Sequence, residues 1–181
     1  AQVVSVPMEI PIRNADRDEC STIISTALDA GINFIDTADV YSQGESEEIV
    51  GQALRGRRDD VVLATKFQGA MGEERNRRGA SRRWITESVE RSLRRLRTDW
   101  IDLYQVHRLD PSTDLDETLS ALSDLVHAGK IRAFGASTVA ASEMVEAQWL
   151  ADRRGHERFR TGRRLTRHLG RGHVPPHGQN S

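Results

Sequence analysis

From residue 18 onward the chain alternates between two hydrophobic periods, and that alternation limits the folds open to it. Residues 18–30 set Cys20, Ile23, Ile24, Ala27 and Leu28 at helical spacing and stop at Gly31. A short apolar run, Ile32-Asn33-Phe34-Ile35, then ends at Asp36. The pattern recurs. Helical spacing over 45–55 (Ile49, Val50, Ala53, Leu54) closes at Gly56, and the run 61–65 ends at Lys66. Ser81 is placed to cap a helix carrying Ile85, Val89, Leu93 and Leu96, and the run 101–106 ends at His107. Leu115, Leu119, Leu122 and Val126 mark a helix that stops at Gly129, and the run 131–136 ends at Ser137. Residues 141–154 make a last helix, with Met144, Val145 and Trp149 expected inward. Strand starts near 32, 61, 101 and 131 give a repeat of about 30 residues, which predicts parallel strands joined by right-handed helical crossovers.

Two architectures use that repeat, the open doubly wound sheet and the closed (β/α)8 barrel. No G-x-G-x-x-G follows any strand, which weighs against the nucleotide-binding doubly wound sheet. Four clear βα units are present where a barrel needs eight, so the expected fold is an α/β barrel of the (β/α)8 type, incomplete, with about four to five units; Val3-Val4-Ser5-Val6 is a weak further strand.

Composition narrows the class. No apolar window approaches the ~20 residues of a membrane span, and no charged start followed by an apolar run marks a secretory leader. The single cysteine, Cys20, cannot form a disulfide within the chain and is expected in the core, which fits a reducing, cytoplasmic setting. The net charge of -1 hides an asymmetry: residues 153–181 hold eight Arg against one acid, Glu157. The chain therefore reads as a divergent segment 1–17, a partial barrel 18–157 and an Arg/His-rich tail 158–181, expected to be disordered for want of apolar surface. Electrostatic nucleic-acid binding by that tail is the weaker reading, since aromatic interleaving ends with Phe159.

Parallel βα folds build their sites at the C-terminal ends of strands. Four strands in succession end in Asp36, Lys66, His107 and Ser137, and Tyr41 follows Asp36 in the same loop. Taken singly, each has a plainer explanation: a turn or cap for Asp36, a snorkelling surface charge for Lys66, a hydrogen-bonded core imidazole for His107, a cap for Ser137, packing for Tyr41. Their coincidence on one rim is the signal. A phenol with a pKa near 10 exchanges protons poorly at neutral pH. An ammonium within about 4–6 Å favours its ionised form, so Lys66 beside Tyr41 makes a usable general acid. Asp36 would hold Lys66 charged, and a neutral His107 would donate a hydrogen bond to a carbonyl oxygen. The set contains no good covalent nucleophile and no zinc ligand set.

The stretches 31–41 (GINFIDTADVY), 62–66 (VLATK), 102–107 (DLYQVH) and 129–137 (GKIRAFGAS) give the chain its resemblance to the aldo-keto reductases, in order and spacing, across roughly residues 18–157. The resemblance implies a (β/α)8 barrel and NADPH-dependent reduction of aldehyde or ketone carbonyls in a small-molecule substrate. It implies a tetrad of Asp36, Tyr41, Lys66 and His107, with Tyr41 as proton donor. Asp36 also faces the cofactor, and Ser137 and Thr138 stand where the family binds the nicotinamide carboxamide, Thr138 replacing the usual Asn. Residues 1–17 lack the family's opening strand and turn, and the chain beyond 157 lacks its later strands, as a truncated or frameshifted gene would. A second reading follows: a catalytically inactive remnant or a partner-binding scaffold, self-associating through exposed barrel edges. For turnover by these 181 residues alone, that second reading is the expectation. The glycine-containing segment 67–81 is either a flap over the rim or a plain surface loop.

Overall fold

The computed structural model describes residues 17–162; the Val3–Val6 strand and the tail from 163 lie outside them. Ten elements alternate: α1 (Arg17–Asp29), β1 (Phe34–Asp36), α2 (Glu45–Ala53), β2 (Val62–Phe67), α3 (Arg82–Leu96), β3 (Ile101–Arg108), α4 (Leu115–His127), β4 (Ile131–Thr138), α5 (Ala141–Arg154) and β5 (Thr161–Gly162). The strands form one sheet in sequence order, every pair parallel. Five consecutive βα-type strands curled in this order are an arc of a (β/α)8 barrel, which closes on eight.

The helical face of the sheet carries the core. Leu63, Phe67, Tyr104, Val106, Phe134 and Ala136 pack against Ile85, Val89, Leu93, Leu96, Leu119 and Leu122, all buried. Each of the large aliphatic and Phe side chains contributes roughly 1.5–3 kcal/mol by leaving water. Helix α3 presents the expected stripe and starts on Ser81, whose hydroxyl accepts from the Trp84 N–H. Between its apolar positions it also points Ser88 inward, and the Ser88 hydroxyl lies 2.8 Å from the buried Tyr104 hydroxyl. Gly31 (φ +91) and Gly129 (φ +72) follow α1 and α4 in the left-handed conformation expected of them.

Three expectations need correcting. Helix α5 buries Ala147 and Ala151 and half-buries Met144, while Val145 and Trp149 are 69% and 57% exposed. Its inward face is thus one position round from the large apolar residues. Its buried positions are the small residues Ala147 and Ala151, and Arg153 stacks on the outward Trp149. Helix α1 is only partly covered: Leu28 is buried, Cys20 half-buried, Ile23 exposed. It packs on α2, beside β1, the edge strand among the described residues. Finally, ordered chain continues past residue 157. Phe159 is buried edge-on against Phe134, the Arg160 N–H donates to the Phe134 carbonyl, and Thr161–Gly162 pairs with β4 as a fifth strand. One buried aromatic anchors a segment whose polar composition disguised it.

Candidate active site

The loop after β1 does not leave the sheet at once. The N–H groups of Thr37 and Asp39 donate to the carbonyls of Ala64 and Lys66 on β2, so the chain climbs alongside β2 before it turns. Tyr41 enters that turn, and Ser42, Gln43 and Gly44 follow in the left-handed region. For Ser42 and Gln43 this costs on the order of 1 kcal/mol or more each, so surrounding contacts must hold them there. Gly44 rests on Arg95, whose Cδ would lie 2.7 Å from an added Cβ. Arg95 is itself fixed by the buried Glu47 carboxylate at 2.6 Å, and Glu47 accepts a second 2.6 Å hydrogen bond from the Thr65 hydroxyl.

Register sets the other members. Lys66 pairs with Gln105 and Gln105 with Gly135, which puts these residues in one rung. Two residues on, His107 lies beside Ser137, between the Val106–Ala136 and Arg108–Thr138 pairs. The Lys66 ammonium, 3% exposed as a residue, donates to Asp36 Oδ2 at 2.7 Å and to the Thr37 carbonyl at 2.9 Å. Gln105 Nε2 donates to Asp36 Oδ1 at 3.1 Å, so both carboxylate oxygens are engaged. The Lys66 Nζ lies 5.2 Å from the centre of the Tyr41 ring, and that ring meets the His107 imidazole edge-on at 6.3 Å. Four residues spread over about seventy positions of sequence, from Asp36 to His107, thus meet at the C-terminal rim.

Electrostatics favours a neutral imidazole at His107. Burial lowers its pKa, the positive charges of Lys66 and Arg108 lower it further, and Asp36 opposes them. Ser137 is 6% exposed, and neither its hydroxyl nor that of Thr138 bonds to another side chain among the described residues. Alternation along β4 turns Ser137 to the His107 side and Thr138 away from it.

Sequence reasoning passed over two features. Gln105 was readable, since it precedes His107 by two residues on one strand and shares its face. Asp39 carried no signal. It is fully inaccessible, neither carboxylate oxygen has a hydrogen-bond partner among the described residues, and burial together with the nearby Glu47 charge pushes its pKa up to about 7.

Comparison with known proteins follows the same lines. Residues 8–158 match the model of the Aldo/keto reductase family. The chain is 49% identical over 131 residues to the aldo-keto reductase YhdN of Bacillus subtilis, covering 70% of this chain and 40% of that protein. It is 40% identical over 142 residues to a probable voltage-gated potassium channel subunit beta of Arabidopsis thaliana, covering 76% and 43%. An aldo/keto reductase from Klebsiella pneumoniae, solved in complex with NADP and acetate, superposes with a TM-score of 0.68 at 36% identity, over 78% of this chain and 46% of that one. The chain spans less than half the length of these relatives.

Proposed function

Because this chain belongs to the aldo/keto reductase family, we propose that the Asp36–Tyr41–Lys66–His107 group reduces an aldehyde or ketone to an alcohol with NADPH. The observation that carries the reading is the Lys66 ammonium, buried, pinned by Asp36 and Thr37, and held 5.2 Å from the Tyr41 ring. A buried ammonium is costly without such partners, and its position at a phenol is of use where that phenol gives up a proton.

Each residue's part follows from its surroundings. The neutral His107 imidazole donates a hydrogen bond to the substrate carbonyl oxygen, where negative charge develops as the carbon is reduced. Tyr41 gives its hydroxyl proton to that oxygen, and the nearby Lys66 charge offsets the negative charge left on the phenolate. Asp36 and Gln105 keep Lys66 from swinging away. NADPH, when bound, supplies the hydride. The uncommitted Ser137 hydroxyl on the His107 side fits a carboxamide partner, with Asp36 beside it on the rim, whereas the side chain of Thr138 is turned to the other face.

The test is Tyr41→Phe in the full 181-residue chain, following NADPH oxidation with a panel of aldehydes. Turnover falls at least a hundredfold while the circular-dichroism melt is unchanged, because no hydrogen bond of the Tyr41 hydroxyl supports the fold among the described residues. Undiminished turnover in the variant, or none in the folded unaltered chain, refutes the assignment.

A further inference from the structure

Beside the site, the loops after β2 and β3 enclose a cavity of about 430 Å³ walled by Gln68, Gly69, Arg75, Asn76, Arg78 and Asp110, among others. None of Asp36, Tyr41, Lys66 and His107 lines it, but its walls grow from the same strand ends. Gln68 is two residues past Lys66, Asp110 three past His107, and Gly69 lies so close to Val40, the residue before Tyr41, that an added Cβ would collide with it.

The β2–α3 loop is a built structure. The Gly79 N–H donates to the Gln68 carbonyl at its base, the Met71 N–H to the Arg77 carbonyl higher up, and the Arg77 N–H to the Glu74 carbonyl across the tip. Arg75 and Asn76 are therefore the two central residues of a closed turn. The loop's carboxylate Glu74 is taken by Arg77, and Glu73 lies outside the cavity lining. Asp110, the carboxylate of the wall, is saturated from within: Ala80 N–H, Ser112 N–H and the hydroxyls of Ser112 and Thr113 all donate to it. Although burial alone would raise it, these bonds hold Asp110 below the ordinary carboxylate range. Arg75 and Arg78 thus face the cavity with no ion pair or hydrogen bond among the described residues.

We propose that Arg75 and Arg78 bind an anionic oxygen group at the far end of the carbonyl substrate, so that the site takes aldehydes or ketones carrying a carboxylate or a phosphoryl group. Guanidinium groups suit such oxygens because their N–H donors match them in pairs. The proposal rests on the reading of Tyr41 and His107 as the carbonyl end. The cavity opens between β2 and β3, whereas Ser137 and Thr138 end β4, across β3 from it; this favours the substrate over the cofactor's own phosphates.

Calorimetric titration of the full chain with ω-oxocarboxylates of graded length, each against the neutral aldehyde of equal length, tests it without turnover. The anionic member of the best-fitting pair binds at least ten times more tightly, and an Arg75→Gln/Arg78→Gln double variant loses that preference while its melt and its NADPH affinity stay unchanged. With turnover, the same variant raises KM for the anionic substrate and leaves kcat in place. Equal binding of charged and neutral members, or a preference that survives the double substitution, overturns the inference. Weakened NADPH binding in the variant also overturns it, by assigning the arginines to the cofactor. Binding that follows the prediction without any reductase activity would instead sink the proposed reaction and leave the anion subsite standing.

Discussion

Asp39 makes the stability of this fold depend on pH in a direction few carboxylates give. Its side chain is inaccessible and faces Glu47 from α2, Arg95 from α3, Lys66 from β2 and the buried Tyr104 from β3. Burial and Glu47 raise its pKa from 3.8 to about 7, against the partial opposition of the adjacent Val40 N–H, which falls short of hydrogen-bond geometry, and of Arg95 and Lys66. A folded-state pKa above the unfolded one means that the native state holds the proton more tightly. The stabilisation is therefore complete below the unfolded value and is lost as pH rises through the folded one. The shift spans about three units at 1.36 kcal/mol each, or about 4 kcal/mol in full. Asp39→Asn keeps the shape of the protonated carboxyl and cannot ionise. Urea denaturation at pH 4.5, 6, 7 and 8, followed by circular dichroism, should show the variant gaining on the unaltered chain by about 3 kcal/mol between the ends of that range. Taking the difference between the two proteins removes the opposite trend of His107, whose lowered pKa costs stability as pH falls. A variant-minus-native difference that stays flat with pH would refute the reasoning, because Asp39 would then be ionised or solvated throughout.

Further outcomes follow from packing and pairing. Gly51→Ala on α2 should cost about 2 kcal/mol in the same denaturation assay, since the new Cβ would lie 2.6 Å from the backbone of Leu96 on α3. Phe159→Ala should cost about 3 kcal/mol, from the loss of a buried ring against Phe134; a change within 0.5 kcal/mol would return residue 159 to a disordered tail. Asp36→Ala leaves the buried Lys66 ammonium with the Thr37 carbonyl alone, and should lower stability by about 2 kcal/mol as well as turnover. His107→Gln should flatten the acid limb of the native stability curve below about pH 6.5, read from melts at pH 5 and 7.

The helices were legible because each buries one face and imprints its period on the sequence, and the strands starting near 32, 61, 101 and 131 because burial on both faces, as over Leu63–Phe67, leaves a short apolar run. Asp36, Lys66, His107 and Ser137 were legible for a related reason: they terminate apolar runs, and in parallel βα folds strand ends converge. Helix α5 was misread because its buried positions are the small residues Ala147 and Ala151, whose apolar signal is weaker than that of the outward Val145 and Trp149. Strand β5 was missed because two residues, Thr161–Gly162, are too short to carry a period, and because its anchor, Phe159, stands alone among polar neighbours.

The sequence alone determined the alternation, the parallel sheet and the identity of the rim residues, since all three follow from local period and from the order of motifs. Only the tertiary structure decided what surrounds each group. Gln105 closes the second oxygen of Asp36, Arg95 and Glu47 brace the turn after Tyr41, Asp39 is shut away from water, and Arg75 and Arg78 are left facing a cavity without a carboxylate to spend themselves on. Charge pairing and desolvation depend on distances between residues far apart in the chain, and no local pattern of residue types encodes those distances.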